Sequence, residues 1–480
     1  MSDPDAPQSA GVRPERREVR PFFSSRWAPC PGHVGELPRS SPLPAGFRAA
    51  GVACGMKRTG ELDLGLLLCD VEPTASAARL TTSATPAAPV LLCREHCDLR
   101  ALRAVLVNSG CANAATGSAG LRAAASTQEA CASALGLASR QVAVASTGQI
   151  ALELPVQRVL DGIPAAIAGL RAEGAGDFQR AIQTTDAFEK RASLTVSLPS
   201  GVVSMSAQCK GAGMISPRFA TMLCFVETDA ALEPETADLL LGVCVKRSFD
   251  RITVDGQLST NDVALLICSG RSGVLVAPES EDELRFGEAL DALLRQLALM
   301  IVADGEGTKR VGRVLVRGGE RDAVESVARG VANSPLVKTA LHGADPNWGR
   351  LVQAVGAALA GAAGEEPAHL GLAGEGPVDL GLAGEEPAHL GLAGESSADR
   401  GPGEGEPAHL GGVAVDLVIE GMKVCAGGAA IDYDEELLAR AVQRDEVEYE
   451  ILLPGQGAEA EVFFADLGHG YVTINAEYTT

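Results

Sequence analysis

The chain has 480 residues, 46% of them hydrophobic, which predicts a globular protein of two or three domains with ample core. The formal net charge of -22 argues against nucleic acid as the main partner, because neutralising phosphates requires a basic face. No apolar run reaches the roughly 18 residues of a membrane helix, and the twelve cysteines and seven histidines lack zinc-site spacing. We expect a cytoplasmic protein without a metal site, in which most cysteines are small buried hydrophobic residues.

Residues 1–43 are rich in Pro, Ser and Arg and lack an apolar segment, so we predict a flexible extension and no secretory signal, with an organelle transit peptide as the alternative. From residue 44 onward, short runs of Val, Ile and Leu alternate with Ala-rich stretches of helical character. The first examples are strands at 105–107 and 142–144, with a helix at 121–137 between them. This alternation predicts a layered α/β fold.

A long amphipathic helix is predicted after strands at 252–254 and 264–268. Ser280 and Glu283 have the spacing of a capping box, which would start this helix. The apolar side chains that follow recur at helical spacing and predict one buried stripe, formed by Phe286, Leu290, Leu293, Leu294, Leu297 and Ile301.

A tandem repeat interrupts the pattern at 364–412. The decapeptide GEEPAHLGLA is followed by GEGPVDLGLA and by GEEPAHLGLA again, and degenerate copies complete the segment. Because Gly, Pro and Glu dominate, we predict a disordered, solvated insertion, with a partner-binding or metal-binding tract as the alternative. Residues 413–480 are predicted to form a small α/β region, with a helix at 433–442 and strands at 446–453 and 460–464.

The segment 210–223, KGAGMISPRFATML, is the most informative for chemistry. Gly211 and Gly213 permit unusual backbone angles next to a lysine. The hydroxyl of Thr221 would become a useful nucleophile if a base lay within hydrogen-bond reach, and a free N-terminal amine on the same residue can be that base. From the spacing alone, a buried turn before a strand is the favoured interpretation.

This segment resembles the self-cleavage segment of ornithine acetyltransferases, the glutamate N-acetyltransferases of arginine synthesis. The resemblance covers about residues 44–360 and 413–480. Nine further segments resemble the same family in the same order, namely GFRAAGVACGMK (46–57), APVLLCREH (88–96), VLVNSGCANAATG (105–117), VASTGQI (144–150), QTTDAF (183–188), SFDRITVDGQLSTND (248–262), ADGEGTKR (303–310), ADPNWGR (344–350) and YVTINAEYTT (471–480).

For the fold, the resemblance implies an α/β, DOM-like ornithine-acetyltransferase fold with layered α/β domains. It also implies that self-cleavage produces an α and a β chain. The α-chain region would be 44–220 and the first part of the β-chain region 221–363. The C-terminal segment 413–480 would complete the active site, and two copies of each chain would form an α2β2 heterotetramer.

For the chemistry, the resemblance implies that the chain cuts itself between Ala220 and Thr221. The hydroxyl of Thr221 then takes the acetyl group of N-acetylornithine as an ester and passes it to glutamate. No cofactor is implied, and the use of acetyl-CoA as a further donor stays open. The hydroxyl of Thr147 and the N–H of Gly148 match the family's oxyanion donors, which must be aimed in advance at the developing charge.

Seven positions match the family's substrate contacts. Glu306 suits an ammonium group of ornithine, and Lys210 suits a substrate carboxylate or would lower the pKa of the Thr221 amine. Without the resemblance, Glu306 indicates a solvated turn and the terminal Thr480 a frayed end. The seven positions are Thr184, Thr185, Lys210, Thr221, Glu306, Asn475 and Thr480.

The sequence departs from the family pattern without losing a proposed catalytic group. Cys111 stands where asparagine is expected, Arg218-Phe219 replaces a polar-Met pair, and Thr308 follows Gly307 without an intervening alanine. The missing alanine could shift the turn that presents Glu306.

Three other classes of protein compete with an acetyltransferase. An aminopeptidase with an N-terminal nucleophile would share the self-cleavage and the oxyanion donors. A nucleotide-binding protein would use the turn at 108–117 as a phosphate cradle, but no GxxxxGK[ST] or GxGxxG pattern occurs there. The third is a non-catalytic interaction protein built around the decapeptide repeat.

Overall fold

The computed structural model describes residues 21–216, 222–362 and 414–477. The strands are β1 (Val34–Glu36), β2 (Phe47–Val52), β3 (Leu64–Cys69), β4 (Ala75–Leu80), β5 (Ala104–Cys111), β6 (Val142–Gln149), β7 (Lys190–Leu198), β8 (Gly201–Lys210), β9 (Leu223–Thr228), β10 (Ile252–Thr253), β11 (Val263–Cys268), β12 (Val311–Arg317), β13 (Asp416–Ile419), β14 (Met422–Ala426), β15 (Ala429–Ala430), β16 (Glu446–Leu452) and β17 (Glu459–Ala465). The helices are α1 (Ala88–His96), α2 (Gly117–Leu135), α3 (Val156–Ala168), α4 (Ala175–Ile182), α5 (Pro234–Arg247), α6 (Glu281–Ala303), α7 (Arg321–Asn333), α8 (Pro335–His342), α9 (Trp348–Ala362), α10 (Glu435–Ala441) and α11 (His469–Glu477).

Within the described residues, these strands form sheets of four, six and seven strands. Their orders are β2-β3-β5-β6, then β1-β7-β8-β9-β11-β4, and β10-β17-β12-β16-β13-β14-β15. β5 and β6 are parallel neighbours, and α2 supplies the crossover that parallel neighbours require. The layered α/β arrangement predicted from the sequence is therefore confirmed.

The six-stranded sheet is a middle layer, and its strands β9 and β11 are buried on both faces. Along β9, Leu223 and Phe225 pack into the core shared with the four-stranded sheet, whereas Cys224 and Val226 pack into the core that contains α5 and α6. Successive side chains of a strand point to opposite faces, so a strand that is buried throughout needs a layer on each side. The Phe178 ring on α4 meets Phe225 edge-on, with centroids 5.4 Å apart, and links the two sheets.

The seven-stranded sheet carries the C-terminal part of the chain. β12 pairs in parallel with β16 and antiparallel with β17, so a strand from before the repeat lies between two strands from after it. Helices α7, α8 and α9 cover the sheet through residues such as Val327, Leu341 and Val355. Because α11 follows β17 after a short connection, this sheet determines where the last described helix lies.

The predicted amphipathic helix is confirmed as α6. The hydroxyl oxygen of Ser280 accepts the N–H of Glu283 at 3.1 Å, and the Glu283 carboxylate accepts the N–H of Glu279 at 2.5 Å. The first bond satisfies an N–H group that the first turn of a helix leaves without a partner, and the second holds the residue just before the N-cap Ser280. All six predicted stripe residues are buried.

The prediction of a flexible extension is wrong for residues 21–43. Phe22 and Trp27 are buried, the Trp27 ring packs on Phe463, and β1 pairs antiparallel with β7. Single aromatic residues in a Pro- and Ser-rich segment have no periodicity, so the sequence pattern could not predict that they are buried. Residues 1–20 and the predicted insertion at 364–412 lie outside the described residues.

The other predicted strands and helices are confirmed with small shifts at their ends. All twelve cysteines lie in the described residues and are free, and nine of them are buried, as the interpretation of small hydrophobic residues requires. Along the described ranges, no helix is both long and apolar enough to cross a membrane.

Candidate active site

Four distant parts of the chain meet where β8 ends. They are the end of β6, the run 184–186, the turn after α6, and α11. The first three are hydrogen-bonded to Lys210 or to the segment 211–216, and α11 is hydrogen-bonded to Glu306 in the turn after α6. The segment 211–216 leads along the chain toward the predicted cleavage bond. Ala220, Thr221 and Thr480 themselves lie outside the described residues.

Lys210 and Thr147 form a direct pair. The ammonium group of Lys210, the last residue of β8, donates to the hydroxyl oxygen of Thr147 at 3.0 Å, and both side chains are buried. Burial lowers the pKa of Lys210, although the carboxylate of Asp186 opposes this shift. Because the oxygen of Thr147 accepts a bond from Lys210, the hydroxyl hydrogen can be directed at a developing negative charge.

Gly148 occupies a position where a side chain would not fit. Its φ is +130°, and a Cβ there would collide with the backbone of Gly110 on the neighbouring strand. Gly110 has a φ of +100° and lies at an irregularity where β5 and β6 shift register. Cys111 lies in the same irregularity, where its buried thiol lies 3.5 Å from the carbonyl oxygen of Leu152. Irregularities of this kind re-aim backbone groups out of a ladder, as an oxyanion donor at Gly148 requires.

A buried ion-pair network lies next to Lys210. Lys190, the first residue of β7, donates to Asp186 at 2.7 Å and to Asp304 at 2.5 Å. Burial raises the pKa of Asp304 to about 6, in spite of the charge on Lys190. Burial acts on Asp186 in the same direction, but the charges of Lys190 and Lys210 outweigh it and hold the pKa of Asp186 well below its usual range.

Asp186 connects this network to the predicted substrate-contacting threonines. One carboxylate oxygen accepts the N–H of Thr184 at 3.0 Å, and the other accepts the N–H of Gly211 at 2.9 Å. The run 184–186 is therefore held against the end of β8. Thr184 and Thr185 are half-buried, as residues at the edge of a substrate site would be.

Glu306 and Asn475 are in contact, although they are far apart in the chain. The side-chain amide of Asn475 donates to the Glu306 carboxylate at 2.7 Å, and the N–H of Glu306 donates to the carbonyl of Ala212 at 3.0 Å. The carboxylate also faces Gly213, where an added Cβ would lie 2.7 Å from its carbon. Glu306 is therefore held against the segment 211–216.

Two further aspartates hold the chain on either side of the predicted cleavage bond. Asp255 accepts the N–H groups of Met214 at 2.7 Å and Ile215 at 2.9 Å. Asp262 accepts the N–H of Met222 at 3.0 Å, and its burial raises its pKa well above the usual range. The residues that flank the cleavage segment are thus fixed by side chains as well as by strands.

Sequence reasoning missed five residues that organise this site. Aspartates that bond backbone amides have no spacing of their own, although four of the five lie inside the segments that carry the family resemblance. The fifth, a lysine, lies two residues beyond such a segment, where it opens a strand. These residues are Asp186, Lys190, Asp255, Asp262 and Asp304.

Together, the fold and the site define a layered α/β protein whose candidate active site has a buried lysine–hydroxyl pair at its centre. Residues 48–380 and 403–480 match the model of the ArgJ family. The arginine biosynthesis bifunctional protein ArgJ of Nitratidesulfovibrio vulgaris is 36% identical over 441 residues, covering 91% of this chain and 99% of that protein. Its counterpart in Geobacter sulfurreducens is 44% identical over 313 residues, covering 65% and 79%.

Among solved structures, ornithine acetyltransferase from Mycobacterium tuberculosis, complexed with ornithine, is 35% identical. The match covers 39% of this chain and 99% of that one, with a TM-score of 0.36. On the extent of the sequence matches, this chain belongs to the ArgJ family. It is an acetyltransferase of arginine biosynthesis, and the predicted fold class is confirmed with the family.

Proposed function

We propose that this enzyme cuts itself between Ala220 and Thr221 and then moves an acetyl group from N-acetylornithine to glutamate through an ester on Thr221. The observation that carries the proposal is the hydrogen bond from Lys210 to Thr147. It puts a cation and a hydroxyl donor at the end of the strand that leads to Ala220. Family membership supports the same chemistry.

In the proposed self-cleavage, the hydroxyl oxygen of Thr221 attacks the carbonyl carbon of Ala220. A C–O bond forms, the C–N bond breaks, and the hydroxyl proton ends on the nitrogen. Water hydrolyses the ester, which leaves residues 1–220 with a carboxylate and residues 221–480 with a free amine. Lys210 at the end of β8 pairs with Leu223 at the start of β9, which supports continued association of the two fragments. We propose that these fragments assemble as α2β2.

In the proposed transfer, the amine of Thr221 takes the proton of its own hydroxyl, and the hydroxyl oxygen attacks the acetyl carbonyl of N-acetylornithine. Thr147 and Gly148 donate to the oxyanion of the tetrahedral intermediate. Ornithine leaves with the proton on its α-amine. The neutral amine of glutamate then attacks the ester, which yields N-acetylglutamate and restores the hydroxyl.

The substrate's side-chain ammonium is proposed to bind Glu306, with Asn475 holding the carboxylate in place. The pairing of Glu306 with Asn475 at 2.7 Å supports this role, because the amide uses one oxygen and leaves the other for a cation. Thr184, Thr185 and Thr480 are proposed to contact the remaining polar groups of the substrate, and Lys210 to pair with its carboxylate.

The two-substrate assay tests the proposal. With N-acetylornithine and glutamate together, the protein is expected to form ornithine and N-acetylglutamate in equal amounts, quantified by mass spectrometry. Release of acetate without N-acetylglutamate would instead identify a self-processing hydrolase. Replacing N-acetylornithine with acetyl-CoA in the same assay tests whether acetyl-CoA is a further donor; the proposed steps need no cofactor.

Gly213→Ala is expected to raise the KM for N-acetylornithine about tenfold, which corresponds to about 1.4 kcal/mol of lost binding. The new Cβ would lie 2.7 Å from the Glu306 carboxylate carbon, so the carboxylate must move away from its place beside Asn475. Steady-state kinetics checks this result. Gly356→Ala in α9 is the matched control, because a Cβ there meets nothing within 4 Å; equal KM values in the two variants would contradict the placement of Glu306.

A further inference from the structure

Lys190 is buried and bonds two carboxylates, and each carboxylate holds a different part of the candidate site. Asp186 fixes Thr184 and Gly211 through their N–H groups. Asp304 accepts the N–H of Ala187 at 3.0 Å and lies two residues before Glu306 in the chain. One ammonium group therefore joins the segments that carry the threonines, the lysine and the glutamate of the site.

We propose that Lys190 is a positioning residue for acetyl transfer, which occupies Asp186 and Asp304 and thereby leaves the ammonium of Lys210 directed at Thr147 instead of at a carboxylate. The proposal rests on the proposed function and adds to it a residue that acts through its neighbours. The centroid of the Phe188 ring lies 4.9 Å from the Lys190 nitrogen. Within the described parts of the chain, Lys190 has no hydrogen bond or ion pair with a predicted substrate-contacting side chain.

The geometry supports this role because, in the part of the chain that the structure describes, Lys210 forms no ion pair with a carboxylate. The carboxylate oxygens of Asp186 accept hydrogen bonds from Lys190 at 2.7 Å and from two backbone N–H groups. Among the described residues, no carboxylate oxygen lies within 4.0 Å of the Lys210 nitrogen. A buried ammonium close to an unoccupied carboxylate would form an ion pair with it, because the attraction grows as the surroundings lose water.

The electrostatics predict the sign of the effect. The charges of Asp186 and Glu306 favour the protonated form of Lys210, as does the thiol of Cys209, whereas burial and the charge of Lys190 disfavour it. Lys57 and Asp262 also interact with Lys210 through their charges. Removing Lys190 would therefore free Asp186 to pair with Lys210, and would raise the pKa of Lys210.

The test compares a double variant, which removes one charge of each sign, with a single variant, which removes one carboxylate. Lys190→Met combined with Asp304→Asn leaves Asp186 facing Lys210. The pH profile of kcat/KM for N-acetylornithine reports the free enzyme, and the alkaline limb of this profile is expected to move upward by about one pH unit. The value of kcat is expected to fall about tenfold or more, because Lys210 leaves Thr147. Asp186→Asn is expected to move the same limb downward, because it removes the carboxylate that favours the charged lysine.

The matched control is Arg313→Met combined with Glu461→Gln. Arg313 also bridges two carboxylates, Glu448 at 2.7 Å and Glu461 at 2.8 Å, but it lies in the seven-stranded sheet. This control is expected to lower the melting temperature without moving the alkaline limb. An alkaline limb that stays in place in both network variants, with folded protein, overturns the proposal; if the double variant does not fold, Asp186→Asn alone decides.

A second measurement separates this proposal from the proposed function, because it needs no activity. A lysine whose pKa is lowered by folding binds fewer protons in the folded state, so it makes stability rise with pH between its folded pKa and about 10.4. In the double variant this rise should be smaller than in the control as the pH increases toward about 10.4. Equal slopes of melting temperature against pH would refute the role of Lys190 even if the enzyme transfers acetyl groups.

Discussion

Thr221→Ala is expected to yield one uncut chain of 49.3 kDa with no measurable acetyl transfer. The wild-type protein is expected to yield two chains, residues 1–220 and residues 221–480, with Thr221 as the new N-terminus. Alanine removes the oxygen that attacks the Ala220 carbonyl, so neither the cleavage nor the acetyl ester can form, and a loss of at least about a thousandfold in kcat is expected. Intact-mass spectrometry and N-terminal sequencing measure the cleavage.

Thr221→Ser is the control for the hydroxyl. It keeps the nucleophilic oxygen and loses one methyl group, so we expect cleavage and transfer at reduced rates. The uncut alanine variant should still fold, since Asp262 holds Met222 and the β8–β9 pairing begins at Leu223. An intact wild-type chain with full acetyl-transfer activity would falsify the self-cleavage mechanism.

The sequence predicted the fold where elements were long or strongly periodic. α6 carried both a start signal at Ser280 and an apolar stripe, and both are present. The alternation of short apolar runs with Ala-rich helical stretches also predicted the layers. Residues 21–43 were missed because Phe22 and Trp27 are isolated anchors, and their burial depends on partners such as Phe463, far away in the chain.

The sequence predicted individual residues of the site but not the hydrogen bonds that join them. Lys210, Thr147 and Glu306 were named by family position, but the bond between Lys210 and Thr147 joins β8 to β6, which no local pattern encodes. The contact of Glu306 with Asn475 likewise depends on how α11 follows β17. Carboxylates such as Asp186 were missed because their partners are backbone N–H groups, which every residue type except proline supplies.

Gly307, which Thr308 follows without the alanine of the family pattern, lies in close contact with the C-terminal segment. Gly307 has a φ of +75°, and a Cβ there would collide with the backbone at Gly470 and Tyr471, where α11 begins. The close approach brings α11 onto the turn that carries Glu306. Tyr471 also donates its hydroxyl to Asp255 at 3.4 Å, so the same helix contacts the aspartate that holds Met214.

Thr147→Val is expected to lower kcat by about a hundredfold to a thousandfold, because it removes one of two proposed donors to the oxyanion. Valine keeps the shape of the side chain, and the N–H donor proposed at Gly148 remains. The effect should fall on kcat more than on KM for N-acetylornithine, since the oxyanion exists only near the transition state. Steady-state kinetics of the purified enzyme measures both constants.

Two consequences distinguish this loss from simple unfolding. Valine also deprives the buried ammonium of Lys210 of its acceptor, so the free energy of unfolding should fall by about 1 to 3 kcal/mol, measured by urea denaturation. Thr147→Ser, which keeps the hydroxyl, should recover most of kcat, because Asn261 continues to hold the strand through the carbonyl of Ser146 at 2.8 Å. If valine and serine lowered kcat equally, the methyl group and not the hydroxyl would be what matters, and Thr147 would be a packing residue instead of an oxyanion donor.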